Sequence, residues 1–287
     1  MKSNVFRQLV YRLCQTFFAL CLINSVIFSQ APDIIWQKTY GVETCSYPYG
    51  EGFYDIQPTS DGHYILAGNY CGAKTGADIL LVKMNETDGN FLWTQTYGGA
   101  LDDAGLAVQQ TSDGGYIVTG ATKSEGAGNW DVFMLKTDAN GDSLWMKTYG
   151  GSKSDGSWAV QQTPDGGYFI AASTESFGAG ASDIWLLRTD ANGDTLWTKT
   201  YGGKGNDAIW PEDPKWTIVK AHSIPNDDGF IVASFSNSFG DGDYDMWLLK
   251  TDAAGDTLWT KLYGGPEDEL GYFMDVQVTA DGGYILA

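Results

Sequence analysis

Three markers recur in fixed order along the 287-residue chain, and no other feature restricts its fold so tightly. Trp36, Trp93, Trp145, Trp197 and Trp259 each stand just before a Tyr-Gly pair, as in LWTQTYGG and LWTKTYGG, at spacings of 57, 52, 52 and 62. A turn before an aromatic comes next: DGHY ending at Tyr64, DGGY at Tyr116, DGGY at Tyr168, DDGF at Phe230 and DGGY at Tyr284. The third marker is TDANGD at Thr137–Asp142 and Thr189–Asp194, with TDAAGD at Thr251–Asp256. Chance does not keep three markers in order. The chain is an array of like units of about 52 residues, each too small to bury its own apolar face and so dependent on its neighbours.

The copy from Ser152 to Gly203 shows what one unit contains. WAVQQT (Trp158–Thr163), Tyr168–Thr174, DIWLLRT (Asp183–Thr189) and TLWTKTY (Thr195–Tyr201) are short runs rich in β-branched and aromatic residues, separated by Gly, Asn and Asp. That is the grammar of strands joined by tight hairpins, and no stretch sustains a helical period. A composition 43% apolar with 37 glycines suits turns and a packed core. Four strands per unit, labelled A to D, make an antiparallel meander with two apolar faces. Radial stacking of such sheets covers both. The expected fold is an all-β propeller: a lone D strand at 34–40, four complete blades at about 41–97, 98–149, 150–201 and 202–263, and part of a fifth at about 264–287. A ring closed with that partial blade would leave strand edges unpaired, so the expectation is a truncated ring of a protein with five or more blades.

These residues resemble the W-x-K-T-Y-G-G, D-G-G-Y-I and K-T-D-x-x-G-D propeller repeats of secreted and surface bacterial and archaeal proteins, over about Ile34 to the C-terminus. The resemblance implies a propeller with Trp on the outer strand, often within larger proteins that end in a type IX secretion sorting domain. The order of markers is also distantly similar to quinoprotein propeller repeats.

Residues 1–29 read differently. Lys2, Arg7 and Arg12, no acidic residue, an apolar run over Phe17–Phe28 and the small Ser29 read as a secretory signal peptide. The run is short for a membrane span of about 20 residues. Its removal would make a chain of net charge −19 more acidic still. Such a surface repels nucleic acid and anionic lipid. The expected location is extracellular or the outer cell surface, with the periplasm as the alternative. Cys14 and Cys21 would leave with the leader, and the pair that stays, Cys45 and Cys71, invites a disulfide.

In a meander the A–B and C–D turns share one end and the B–C and D–A loops the other. The uniform DGG and DANG turns fall at the first end and the variable loops at the second, where binding residues concentrate. The clearest departures from the repeat are the enlarged D–A loops, Val42–Phe53 of blade 1 and Trp210–Thr217 of blade 4. Their aromatics Tyr47, Tyr49, Trp210 and Trp216, together with Trp130 in a B–C loop, suit stacking on sugar rings or an interface hot spot. Asp103, Asp155, Asp207 and Glu269 each lie four residues after a YGG motif. They read either as a ring of carboxylates for a cation or basic partner, or as caps of their own loops. Asp78, Asp131, Asp183 and Asp245 open strand C and read as caps.

Asp138-x-Asn140-x-Asp142 and Asp190-x-Asn192-x-Asp194 begin like calcium loops, but the distal Glu ligand is missing, so a hairpin turn with Asx hydrogen bonds is preferred to calcium. His63 and His222 have no nucleophile motif beside them and read as incidental; H-E-x-x-H, P-loop and G-x-S-x-G are absent. No cofactor is expected. The expected function is a non-catalytic module binding protein or glycan on its long-loop face, continuous with further blades or a sorting domain. The alternative is the propeller part, or accessory domain, of a polysaccharide-acting enzyme, and a quinone-dependent dehydrogenase ranks third.

Overall fold

The computed structural model describes residues 37–40, 52–71, 76–208, 219–224, 229–241, 243–266 and 275–286. The chain divides into two units, Met1–Thr39 with Thr87–Gly89, and Tyr40–Glu86 with Asn90–Ala287. In the first, the described residues 37–39 lie outside any sheet. The leader expected over residues 1–29 falls outside the described residues.

The second unit is all-β. Sheet one holds β1 (Gly52–Pro58), β2 (Tyr64–Tyr70), β3 (Asp78–Met84) and β4 (Phe91–Tyr97). Sheet two holds β5 (Asp103–Gln110), β6 (Tyr116–Thr122), β7 (Asp131–Thr137) and β8 (Ser143–Tyr149). Sheet three holds β9 (Asp155–Gln162), β10 (Tyr168–Thr174), β11 (Asp183–Thr189) and β12 (Thr195–Tyr201). Sheet four holds β13 (Lys220–Ser223), β14 (Phe230–Ser236), β15 (Asp245–Thr251) and β16 (Thr257–Tyr263); β17 (Val276–Val278) pairs with β18 (Tyr284–Leu286). Each sheet is a sequential antiparallel meander, so strands A to D of the repeat are found in order.

Two differences from the sequence reading appear over the described residues. Strand A of blade 3 begins at Asp155, not Trp158, because Asp155-Gly156-Ser157 extend the ladder to β10 before a bulge. The expected lone strand at 34–40 is not a strand over its described part, 37–40. Residues 34–36 of that expected strand lie outside the described residues.

The sheets stack as propeller blades. First strands of neighbouring sheets pack on one another, and no comparable contact joins the fourth strands among the described residues. The sheets are therefore wedged apart at their outer edges. The inner strands carry a bulge at one repeated position, where Tyr54, Leu106 and Trp158 fall between paired residues. Tyr54, Leu106 and Trp158 meet in one apolar cluster with Ala208 and Val219 of blade 4. That cluster links side chains from the first strands of blades 1 to 3 with blade 4. A bulge re-aims a side chain in this way at barrel rims and sites.

Burial on both faces explains why β6, β7, β10, β11 and β14 carry apolar residues without strict alternation at their centres, all seven residues of each being buried. Between blades 1 and 2, for example, Ile79 and Leu81 meet Val118, Phe133 and Leu135. Fully burying one such side chain contributes roughly 1.5–3 kcal/mol, so the joints supply the stability that a lone meander lacks.

Candidate functional site

Outer strands clasp the next blade. In β8, Trp145 packs edge-on against Tyr168, with ring centroids 6.0 Å apart, and the Tyr149 hydroxyl donates to the Gly193 carbonyl at 2.6 Å. Lys147 pairs with Asp194 at 2.5 Å. The same contacts join β12 to the following turn: Tyr201 donates to Gly255, and Lys199 pairs with Asp256 at 2.5 Å. In β4, Tyr97 donates to Gly141, and Gln95 replaces the lysine, reaching Asp142 at 3.5 Å. The TDxxGD turn is thus a hairpin received by its neighbour. Asp190 accepts from the amides of Asn192 and Asp194, both at 2.8 Å, and Gly193 sits at φ 78°. The preferred Asx-turn reading accounts for these residues.

The YGG acids are buried caps. Asp155 is fully buried and accepts from the Gly151 amide at 2.8 Å, the Ser176 hydroxyl at 2.6 Å and the Thr174 hydroxyl. Asp103 does the same with Gly99, Ser124 and Thr122, and Asp207 with Gly203, Ser238 and Ser236. These three carboxylates are turned inward and saturated by local donors, so they do not present an open ring; Glu269 lies outside the described residues. Among the described residues, no group of three or more His, Cys, Asp or Glu is placed to hold a metal ion.

Two of the strand C acids, Asp131 and Asp183, cap through Oδ2. Asp183 Oδ2 accepts from Ala179 and Gly180, at 2.8 and 3.0 Å. Its Oδ1 is buried without a hydrogen-bond partner. Asp183 Oδ1 and Asp207 Oδ2 both occupy the place where a Cβ on Gly202 would stand, so only glycine fits between them. Asp131 and Asp155 flank Gly150 in the same way. Burial first, and the neighbouring acid second, hold the carboxyls of Asp183 and Asp131 above the usual range. Each such pair crosses a blade joint.

Trp130 is packed rather than presented: it is 5% exposed, lies against Ala121, and carries the Lys123 ammonium 4.5 Å from its ring. Tyr47, Tyr49, Trp210 and Trp216 lie outside the described residues, as does Cys45. Cys71 is disulfide-bonded.

The sequence reading missed a polar strip on the inner strands. The ladders align Asp55, Ala107, Ala159 and Lys220, opposite Ala67, Thr119, Ala171 and Ala233 of the second strands. Two residues further on stand Gln57, Gln109, Gln161 and His222. Some of these oxygens latch neighbouring inner strands: Asp55 accepts from Val108 at 2.9 Å, Gln109 from Gln162 at 2.6 Å and Gln161 from Ser223 at 2.6 Å. Inner edges thereby find partners for their free amides. Burial raises the Asp55 carboxyl, and the Val108 amide and then the Lys220 charge work against that rise. His222 Nδ1 is 2.8 Å from the Gln161 amide nitrogen, and burial lowers its pKa while Asp275 opposes. His222 therefore holds a contact with the inner strand of blade 3. The signal available in the sequence was Asp, Ala, Ala, Lys at one aligned position.

No protein-family model matches the chain. A curated relative, regulatory protein FlaEY of Caulobacter vibrioides, is 24% identical over 180 residues, covering 54% of this chain and 19% of that protein. Among solved structures, quinohemoprotein alcohol dehydrogenase of Comamonas testosteroni aligns at a TM-score of 0.43 with 13% identity, over 82% of this chain and 39% of that one. BamB of Moraxella catarrhalis aligns at 0.33 with 9% identity, over 82% and 84%, and a Bacteroides caccae protein of unknown function at 0.32 with 12%, over 74% and 82%. The chain spans about a fifth of its curated relative and resembles these structures at low identity.

Proposed function

We propose that this chain is an exported, non-catalytic propeller module that binds a protein or glycan at the end where the D–A loops lie, through blades 1 and 4. One observation carries the reading. The two blades with enlarged D–A loops, Val42–Phe53 and Trp210–Thr217, are also the two that break the alanine position of the inner strand, with Asp55 and Lys220. Blades 2 and 3 keep Ala107 and Ala159 there. A rigid scaffold with variation gathered in loops and strand starts of two blades suits recognition. Export through the leader at 1–29, a Cys45–Cys71 staple for the blade 1 loop, and continuation into further blades or a type IX sorting domain belong to the same proposal.

The test is binding on a glycan array and to purified envelope proteins. Variants would carry Tyr47, Tyr49, Trp210 or Trp216 changed to Ala, alongside Asp55→Asn and Lys220→Met. Loss of a wild-type ligand in the loop and axial variants supports the assignment. Retention of every ligand by all of them overturns it.

A further inference from the structure

Three filled clasps have a fourth counterpart with an open receiving face. On β16 the same residue types recur as Trp259, Lys261 and Tyr263. Trp259 already packs edge-on against Tyr284, with centroids 5.9 Å apart at 62°, matching Trp145 on Tyr168 at 6.0 Å and 67°. The Lys261 ammonium stands 5.6 Å from the Trp259 ring, much as Lys199 stands 6.0 Å from Trp197. Beside them runs a groove of about 370 Å³ lined by Leu248, Trp259, Lys261, Tyr263, Tyr284 and Leu286. Lys199 and Tyr201 are half-buried beneath the turn they hold, whereas Lys261 and Tyr263 are exposed, Tyr263 at 42%. Among the described residues, nothing accepts from the Tyr263 hydroxyl or pairs with Lys261.

We infer that this groove is a docking site for a T-D-x-x-G-D hairpin turn of the kind that the three filled clasps receive. The filled joints define the chemistry. A glycine at positive φ brings its backbone against the Trp face, and a side chain there would strike the ring, as the space around Gly193 and Gly255 shows. The glycine carbonyl takes the Tyr hydroxyl, and the last Asp takes the Lys ammonium, as at Gly193 and Asp194. An apolar strand lacking the acidic turn would fill the groove but satisfy neither polar group, so the groove selects the turn and not merely a hydrophobe.

A disulfide-closed hairpin peptide carrying Lys250–Leu258 (KTDAAGDTL) is the probe, added to the full chain. Saturable binding is expected, with Lys261 protected from acetylation while the already paired Lys199 is unchanged. Tyr263→Phe should weaken binding about fivefold, the worth of one net hydrogen bond near 1 kcal/mol. Lys261→Met, or Asn for the last Asp of the peptide, should weaken it roughly two- to fivefold, as for a partly exposed ion pair. These variants alter exposed side chains, so the fold is kept. The inference is overturned by absence of binding at millimolar peptide, or by equal affinity in wild type, Tyr263→Phe and Lys261→Met.

Discussion

Replacing either member of the Asp183–Asp207 pair by Asn should have opposite effects on stability, although both acids are fully buried. Asp207 accepts from the Gly203 amide at 2.6 Å, the Ser238 hydroxyl at 2.6 Å and the Ser236 hydroxyl. An Asn there keeps one acceptor oxygen and turns an NH₂ toward donors. Hydrogen bonds to a charged group contribute about 1.5–3 kcal/mol each, so Asp207→Asn should cost about 2–4 kcal/mol. At position 183 the amide oxygen of Asn can still serve Ala179 and Gly180, and its NH₂ takes the place of Oδ1, the oxygen without a partner that faces Asp207. A like-charge contact then becomes a charge-assisted hydrogen bond. Asp183→Asn should stabilise by about 1 kcal/mol or more at pH 8. The effect depends on pH with a definite sign. Because the folded-state pKa of Asp183 is raised, folding retains a proton that the unfolded chain releases near pH 4. The stability held by the protonated form is complete below about pH 4 and declines by up to about 1.4 kcal/mol per unit as pH rises toward the folded pKa. The advantage of Asp183→Asn should therefore shrink at pH 5 relative to pH 8. Urea midpoints of the wild type and both variants at the two pH values measure this. Equal destabilisation by the two variants at both pH values would refute the pairing.

Gly193→Ala should cost more than Gly166→Ala in thermal denaturation. Both glycines have positive φ, 78° and 87°, but a Cβ at 193 meets Trp145 and Lys147 whereas one at 166 meets nothing within 4 Å; the excess, about 1–3 kcal/mol as for overpacking, measures the clasp, and equal losses would dismiss it. Lys220→Met should move the Asp55 carboxyl titration further upward, since burial already raises it and Lys220 opposes the rise; an unmoved carboxyl signal by NMR would show that the two do not interact. Trp130→Ala should destabilise by about 3–5 kcal/mol as a buried aromatic truncation, and a loss within about 1 kcal/mol would contradict its packing.

The blade was legible because local and global demands agree in it. Turn glycines, strand composition and the once-per-unit Trp all record contacts that every joint must make. The clasp was half legible: Trp145 could be assigned to packing between blades, but its partner turn lies 44 residues after Tyr149, and only the fold shows that Tyr149, Lys147 and Asp194 are one device. The Asp183–Asp207 pair was hidden for a related reason. Each acid reads separately as a loop cap, and their approach depends on Gly202 packing where two blades meet. The axial strip was overlooked because the A–B turn of blade 4 is one residue longer: Lys220 stands ten residues before Phe230, whereas Ala107 and Ala159 stand nine before Tyr116 and Tyr168, so alignment by motif alone did not place Lys220 with the alanines.

That strip also indicates where the scaffold leaves chemistry unassigned. A residue demanded by every joint, such as Tyr149 or Asp155, cannot be altered for a ligand without loosening the ring. One ladder position carries Asp55, Ala107, Ala159 and Lys220, directly after a bulge in the first three. Ladder geometry is therefore indifferent to its side chain, from none beyond Cβ to a long cation. Two charges of opposite sign in such a place carry a desolvation cost that packing does not require. The same two blades enlarge the loops that lead directly into those strands. Selection for recognition at that end would produce both departures together, whereas drift under a purely structural constraint would have no reason to place them in the same blades.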